Sequence, residues 1–343
     1  MATGTKGRKV AVLGPMPRDQ IVTDGGERFE KYGCALYTAV ALSALLDPGD
    51  TIAPVTHVRR KDEGPLKQIL ASFPNIDSSG ITSSADQGDR VELRYIEENR
   101  RIEQQTSFMN PILPADVDAV LDADAFVCVP ITDYEVGLAT LQHIKAHSGA
   151  TVVLDAHGPT TTLTRSGERQ QRVWADQEIW LPHVDILKMN LDEAHSMWVG
   201  ESAEMAVDPP PRVAEEKEIT EQLRDLGRYC LDRGVGAVCV TLDEYGCVCF
   251  SRDVSGGMSE AFVGPVPVEH VVDTTGAGDS FAAGLAYGYL AYQDYVVACQ
   301  YGNALGAQRC TGPGTDLNVY LSREGTEAQI RATYGPGPHR PGA

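Results

Sequence analysis

The chain has 343 residues, 42% hydrophobic and 22% charged, enough to bury a large core in one α/β domain. Lys plus Arg is 29 against 48 for Asp plus Glu, a net charge of −19, which argues against nucleic acid and anionic membranes as partners. It leaves room for a nucleotide held locally by backbone N–H groups.

Eight cysteines, at 34, 128, 230, 239, 247, 249, 299 and 310, lie mostly in apolar runs such as Ala237-Val238-Cys239-Val240. There Cys packs as a small hydrophobe, and without a C-x-x-C pair the zinc and thioredoxin-like readings are weak. The segment Met1 to Lys9 lacks the apolar stretch of a signal peptide, and no apolar run approaches membrane-spanning length. A reducing cytosol is the expected compartment.

In chain order, Lys9 to Gly14 reads as a buried first strand ending in a turn, with Asp19 five residues beyond Gly14. Tyr32-Gly33-Cys34-Ala35-Leu36-Tyr37 runs into a helix of small and apolar residues. Arg90 to Phe108 alternates apolar and polar residues on both sides of Glu98-Asn99-Arg100, a hairpin signal. Residues 125–129 and 151–155 read as strands with a helix over 136–147 between them, the alternation of a mostly parallel sheet. Asp155 and His157, at a strand end, read as structural.

A short strand over 184–188 precedes a helix starting near Asn190, which places Asn190 and Glu193 on one face of its first turn. That is also capping-box spacing. Residues 200–220 are Pro-rich and acidic and read as a surface insertion. A helix over 221–232, a strand over 237–242 and a turn at Asp243 to Gly246 follow. Residues 300–307 form a small-residue helix, Cys310 to Gly314 a sharp turn, and 334–343 a frayed tail.

The informative stretch is Val271-Val272-Asp273-Thr274-Thr275-Gly276-Ala277-Gly278-Asp279-Ser280-Phe281, running on through Ala282 to Leu290. Two β-branched residues end a strand or its exit, a small-residue turn follows, and a helix opens near Asp279. Free N–H groups at that helix start, with the positive end of its dipole, make an anion site. A carboxylate there is odd for phosphate binding alone. It makes sense if Asp279 takes a proton from a hydroxyl that attacks the phosphate. The plain alternative is an Asp N-cap. A dinucleotide fingerprint fails because Phe281 stands where Gly is needed, and the chain has no P-loop motif.

The Asp273–Phe281 run resembles the C-terminal signature of the PfkB, or ribokinase-like, sugar and nucleoside kinases. The resemblance implies one ribokinase-like three-layer α/β/α domain over 1–343, with a mostly parallel sheet. Strands within 14–33 and 88–110 would form a small β lid. It implies phosphoryl transfer from ATP to a hydroxymethyl group of a small sugar-like substrate. Asp279 would be the general base, ionised at its helix N-terminus and acting by position, with Gly276, Ala277 and Gly278 as anion hole. Asp19, Gly33 and Tyr37 would contact the acceptor, and Thr241, Gly246, Asn303 and Gly312 the ATP. Asn190 and Glu193 match an N-x-x-E motif that organises magnesium through water. Asp273 and Thr275 would hold a monovalent cation such as potassium. A homodimer is compatible with the resemblance.

The chain departs from that pattern at two places. Tyr32 occupies the first position of a Gly-Gly pair, with Gly25-Gly26 too far upstream to replace it, and Asp243 replaces the middle Gly of T-x-G-x-x-G. A nucleoside kinase of the same fold, with Tyr37 and the lid against a base, is the alternative. A substrate-binding sensor without turnover is a second one.

Overall fold

The computed structural model describes residues 7–22, 28–97, 100–197 and 220–336. Gly25 and Gly26, the hairpin turn at Glu98 and Asn99, nearly all of the 200–220 stretch and the tail from residue 337 lie outside the described residues.

Short runs of Val, Ile, Ala and Leu build a nine-stranded sheet. Its order is β15-β14-β13-β12-β9-β8-β1-β4-β5. The strands are β1 (Lys9–Leu13), β4 (Thr51–His57), β5 (Ile81–Thr82), β8 (Ala125–Cys128), β9 (Thr151–Asp155), β12 (Ile186–Asn190), β13 (Ala237–Thr241), β14 (Cys247–Arg252) and β15 (Met258–Val263). Pairing is parallel from β5 through β13, and β14 and β15 add an antiparallel edge. Such strands read as continuous apolar runs because both faces are covered.

The period of two then sorts each strand between two cores. Val10 and Val12 of β1 pack with the helices α1 (Ala35–Leu45), α7 (Ala277–Tyr292) and α8 (Tyr295–Arg309). Ala11 and Leu13 pack on the other face with α3 (Leu138–His147) and α6 (Glu221–Leu231). The result is a three-layer α/β/α architecture. Helices α7 and α8 lie almost backbone to backbone, since a Cβ on Gly284 would stand 2.3 Å from the Tyr301 carbonyl oxygen.

A second, four-stranded sheet is ordered β3-β2-β6-β7, from β2 (Arg18–Val22), β3 (Arg28–Tyr32), β6 (Arg90–Glu97) and β7 (Arg100–Ser107). A separate hairpin, β10 (Thr161–Leu163) with β11 (Arg169–Gln171), reaches it through its tip, where the Gln105 N–H donates to the Gly167 carbonyl at 2.8 Å. Gly167 holds φ of +84° there, and a Cβ would stand 2.2 Å from the Gln105 carbonyl oxygen. A short α2 (Arg60–Leu70), α4 (Gln177–Trp180), α5 (Leu191–Ser196) and a closing α9 (Arg323–Tyr334) complete the named helices. Among the described residues no helix is long and apolar enough to cross a membrane.

One expectation is corrected. Val271 and Val272 do not end a strand; they are exposed, and the Val272 N–H donates to the Cys310 carbonyl at 2.8 Å. The sheet already ends at β15, so these β-branched residues have no partner strand and their propensity is not expressed.

Candidate active site

The turn before α7 is closed by its own residues together with Gly314. Asp273 Oδ1 accepts from the Thr275 N–H at 2.9 Å and from its hydroxyl at 2.7 Å, and Oδ2 accepts from the Gly314 N–H at 2.8 Å. Gly276 is the N-cap with φ of +83°, and a Cβ there would lie 2.5 Å from the Tyr37 ring. This position requires glycine on both counts. The Ala277 N–H, expected in the anion hole, instead donates to the Thr274 carbonyl at 3.1 Å. Asp279 sits in the first helical turn, its carbonyl accepting from the Thr38 hydroxyl at 3.1 Å.

A buried charge cluster lies beside this turn. Lys188, in the middle of β12, which runs two residues past the expected end at Lys188, donates to Asp155 Oδ2 at 2.8 Å, both side chains being less than a tenth exposed. Its ammonium would be 3.2 Å from a Cβ on Gly278, so a fixed positive charge faces the turn. Asn190 and Glu193 form the full capping box: Asn190 Oδ1 accepts from the Glu193 N–H and Glu193 Oε2 from the Asn190 N–H, each at 2.8 Å. Glu193 Oε1 also meets His157 Nδ1 at 2.9 Å. Burial alone would raise the Glu193 carboxyl, but Lys188, His157 and the Asn190 N–H together draw it down to about 2. His157 is raised in turn, the Glu193 contact outweighing its burial. Asp155 and His157, read as structural from the sequence, join Lys188 and Glu193 in one charge cluster.

Asp279 differs from its sequence expectation. Burial, helped by Asp155 and opposed by Lys188, pushes its carboxyl up to about 6. A helix dipole favours the ionised form, yet desolvation by burial is the larger effect.

On the acceptor side, Gly33 lets two other predicted residues close in: its Cβ would lie 3.0 Å from Asp19 Oδ2 and 3.4 Å from the Tyr37 ring. Asp19 is 7% exposed, and burial raises its carboxyl to about 7 against the opposing pull of Lys31 and Arg169. Lys31 stands opposite Asp19 in the β2–β3 register and 3.9 Å from Asp273. Tyr37 is fully buried and donates to the Gly314 carbonyl at 2.7 Å, so it braces the turn and presents no face to a ligand. Tyr32 points the other way, donating to Asp62 Oδ1 at 2.9 Å, the same oxygen that Arg18 reaches at 2.9 Å.

The expected nucleotide residues lie along the edge of β13 and its neighbours. The Thr241 hydroxyl donates to the Met189 carbonyl at 3.3 Å. Gly246, at φ +99°, leaves no space for a Cβ, which would be 2.2 Å from the Val263 carbonyl oxygen. Asp243 takes φ of +49°, a left-handed conformation that Asp tolerates better than most residues; its side chain is exposed, and its carboxyl is raised by partial burial, Glu244 and Asp192. The Asn303 amide is committed to the carbonyls of Val263 and Gly264 and to the Tyr334 hydroxyl. The Gly312 carbonyl accepts from Arg309 at 2.8 Å.

Residues 129–320, more than half the chain, match the pfkB family of carbohydrate kinases. The chain belongs to that family. An uncharacterized sugar kinase of Archaeoglobus fulgidus is 36% identical over 121 residues, 35% of this chain and 43% of that protein. A 2-dehydro-3-deoxygluconokinase of Bacillus subtilis is 36% identical over 116 residues, 33% of this chain and 34% of that protein. The match therefore spans less than half the length of these curated relatives. Among solved structures, a pyrophosphate-dependent kinase in the ribokinase family is similar at 20% identity and TM-score 0.69, covering 93% of this chain and 99% of that one. Ribokinase from Giardia lamblia gives 15% and 0.71 with 96% and 99% covered. A Burkholderia thailandensis nucleoside kinase gives 18% and 0.69 with 96% and 100% covered. These likenesses are of fold, and the fold is that of ribokinases.

Within this pfkB chain the sequence reading missed Lys188, Lys31, Arg169 and Arg309. Lys188 and Lys31 looked like ordinary strand residues; a lone Lys ending an apolar strand two residues before Asn190 was the available signal for the first. Arg309 is fully buried, bonds the carbonyls of Gly312, Pro313 and Asp316, and lies 5.4 Å over the Tyr37 ring. It shapes the loop that carries Gly314. Arg169 arrives on a hairpin whose contact with β7 no local pattern announces.

Proposed function

We propose that this pfkB chain transfers the γ-phosphoryl group of ATP to a hydroxymethyl group of a small sugar-like acceptor. The observation that carries the reading is Asp279 in the first turn of α7, behind a left-handed Gly276 and beside the Lys188 ammonium. Asp279 takes the proton from the acceptor hydroxyl as that oxygen bonds to phosphorus and the bridging P–O bond to ADP breaks. A carboxyl near 6 is still about nine-tenths ionised at pH 7 and is a stronger base than an ordinary Asp. Lys188 and the helix N-terminus hold charge on the transferring oxygens. Asp19 accepts from acceptor hydroxyls, with Lys31 and Arg169 close enough to polarise it.

Magnesium would neutralise the donor phosphates. Glu193 fits a role beside it, because it stays ionised, but each of its oxygens already has a partner; Asn190 and Glu193 would hold metal waters. The donor set fits potassium less well at Asp273 and Thr275, where Lys31 already supplies a positive charge, and no step is assigned to that ion. A sugar suits the acceptor end better than a nucleoside. The groups gathered there are charged, and Tyr37 has no open face for a base.

The test is turnover with ATP and magnesium across a panel of sugars, in the wild type and in Asp279→Asn. The variant should fold and bind ATP while kcat falls by about 10² to 10⁴. In the wild type, kcat/KM should fall as pH drops through about 7 and on through about 6, as Asp19 and then Asp279 protonate and can no longer accept from the acceptor hydroxyls. Near-normal kcat in folded Asp279→Asn would remove the base assignment.

A further inference from the structure

Away from the cleft, three thiols from three separate segments meet in the core. Cys239 of β13 stands directly opposite Cys249 of β14 in the antiparallel register, and Cys299 of α8 closes over them. Cys239 Sγ lies 3.5 Å from Cys299 Sγ and 4.0 Å from Cys249 Sγ, and all three sulfurs fall within 4.8 Å of one another. Each is at most 2% exposed, and none is in a disulfide.

With two sides of 3.5 and 4.0 Å and the third no more than 4.8 Å, a point equidistant from the three sulfurs lies about 2.0–2.4 Å from each, close to a metal–thiolate bond length. Among the described residues no carboxylate or imidazole joins the cluster, which turns away magnesium and calcium. Cys247 reaches Cys299 but stands outside the group of three sulfurs that lie within 4.8 Å of one another, so the group falls short of the tetrahedral set that structural zinc takes. Soft sulfur donors with no hard ligand among them favour copper(I).

We propose that Cys239, Cys249 and Cys299 form a three-sulfur site for a monovalent thiophilic cation, copper(I). Occupancy ties α8 to the sheet edge. The inference does not depend on the kinase reading.

The full chain is titrated under anaerobic conditions with copper(I) held by the chromophoric chelator bicinchoninate. The wild type should withdraw one equivalent, and its melting temperature should rise with occupancy. Cys249→Ser and Cys299→Ala should each lose that equivalent, whereas Cys310→Ser, at a half-exposed thiol outside the cluster, should keep it. X-ray absorption at the copper edge of the loaded wild type should show three sulfurs at about 2.3 Å and needs no core variant to fold. No withdrawal by folded wild type, two-sulfur coordination, or loss of the equivalent in Cys310→Ser would each overturn the site.

Discussion

The two halves of the candidate site are built in opposite ways. In the half around Asp279, the residues Asp273, Thr275, Gly276 and Asp279 lie within seven consecutive residues, and the bonds of Asp273 to Thr275 and of Ser280 to Gly276 span two to four positions. Around Asp19, the charged groups Lys31, Glu103 and Arg169 come from β3, β7 and the β10–β11 hairpin. The first is a turn whose closing bonds are mostly local, with Gly314 adding one from the loop after α8. The second exists only once strand pairing has set its register. The difference teaches where a motif can be trusted residue by residue and where it cannot.

Substitutions can break or sharpen that contrast. The largest effect in it should come from Lys188→Met, a residue the local turn recruits from another strand. We expect kcat to fall about 10²-fold. Stability should drop by roughly 3 kcal/mol, because Asp155 is left buried without its cation. Steady-state kinetics on protein shown to be folded by circular dichroism checks this; unchanged kcat would mean the turn works without imported charge.

Glu193→Gln comes next. It should raise the magnesium concentration needed for half-maximal rate and cost roughly 1–3 kcal/mol, since a buried carboxylate loses its charge with Lys188 and His157. The sign with pH is fixed. The folded carboxyl, near 2, lies below the ordinary 4.5, so its contribution is present above about 4.5 and is lost as pH falls toward 2. Melting curves of wild type and variant should therefore converge in acid. A gap that does not narrow between pH 5 and pH 2 would assign the loss to packing.

Tyr32→Phe tests the acceptor end. It removes one hydrogen bond to Asp62, and about 1 kcal/mol of stability should go with it. The acceptor KM should stay within about twofold, because Tyr32 faces away from Asp19. A large rise in KM would show that the tether from β3 to α2 sets the acceptor geometry.

The smallest effect belongs to Asp243→Gly. Its carboxylate is exposed and neighbours Glu244 and Asp192, so ATP affinity should change by less than about twofold. Relief of the left-handed backbone is offset by the freedom glycine regains in the unfolded chain. A tightening of about tenfold that fades as salt rises would place the carboxylate against the phosphates.

The sequence by itself determined most of the fold and one end of the site. The apolar strand runs at 9–14, 125–129, 151–155 and 237–242 lie within or beside the observed strands, because strands covered on both faces need nothing but apolar side chains. The hairpin over 90–107 followed from its alternation, and the α7 turn from Gly276, Gly278 and Asp279. Tertiary structure decided the rest. It brought Lys188 beside Gly278, buried Tyr37 against Gly276, turned Tyr32 toward Asp62 and delivered Arg169 through the Gly167 contact. It also raised the Asp279 carboxyl to about 6 by burial, which leaves it ionised at neutral pH but more basic than its helix N-terminus alone would make it. Whether a carboxylate is raised by burial or lowered by a dipole depends on which groups surround it, and those groups are neighbours in space, not in sequence.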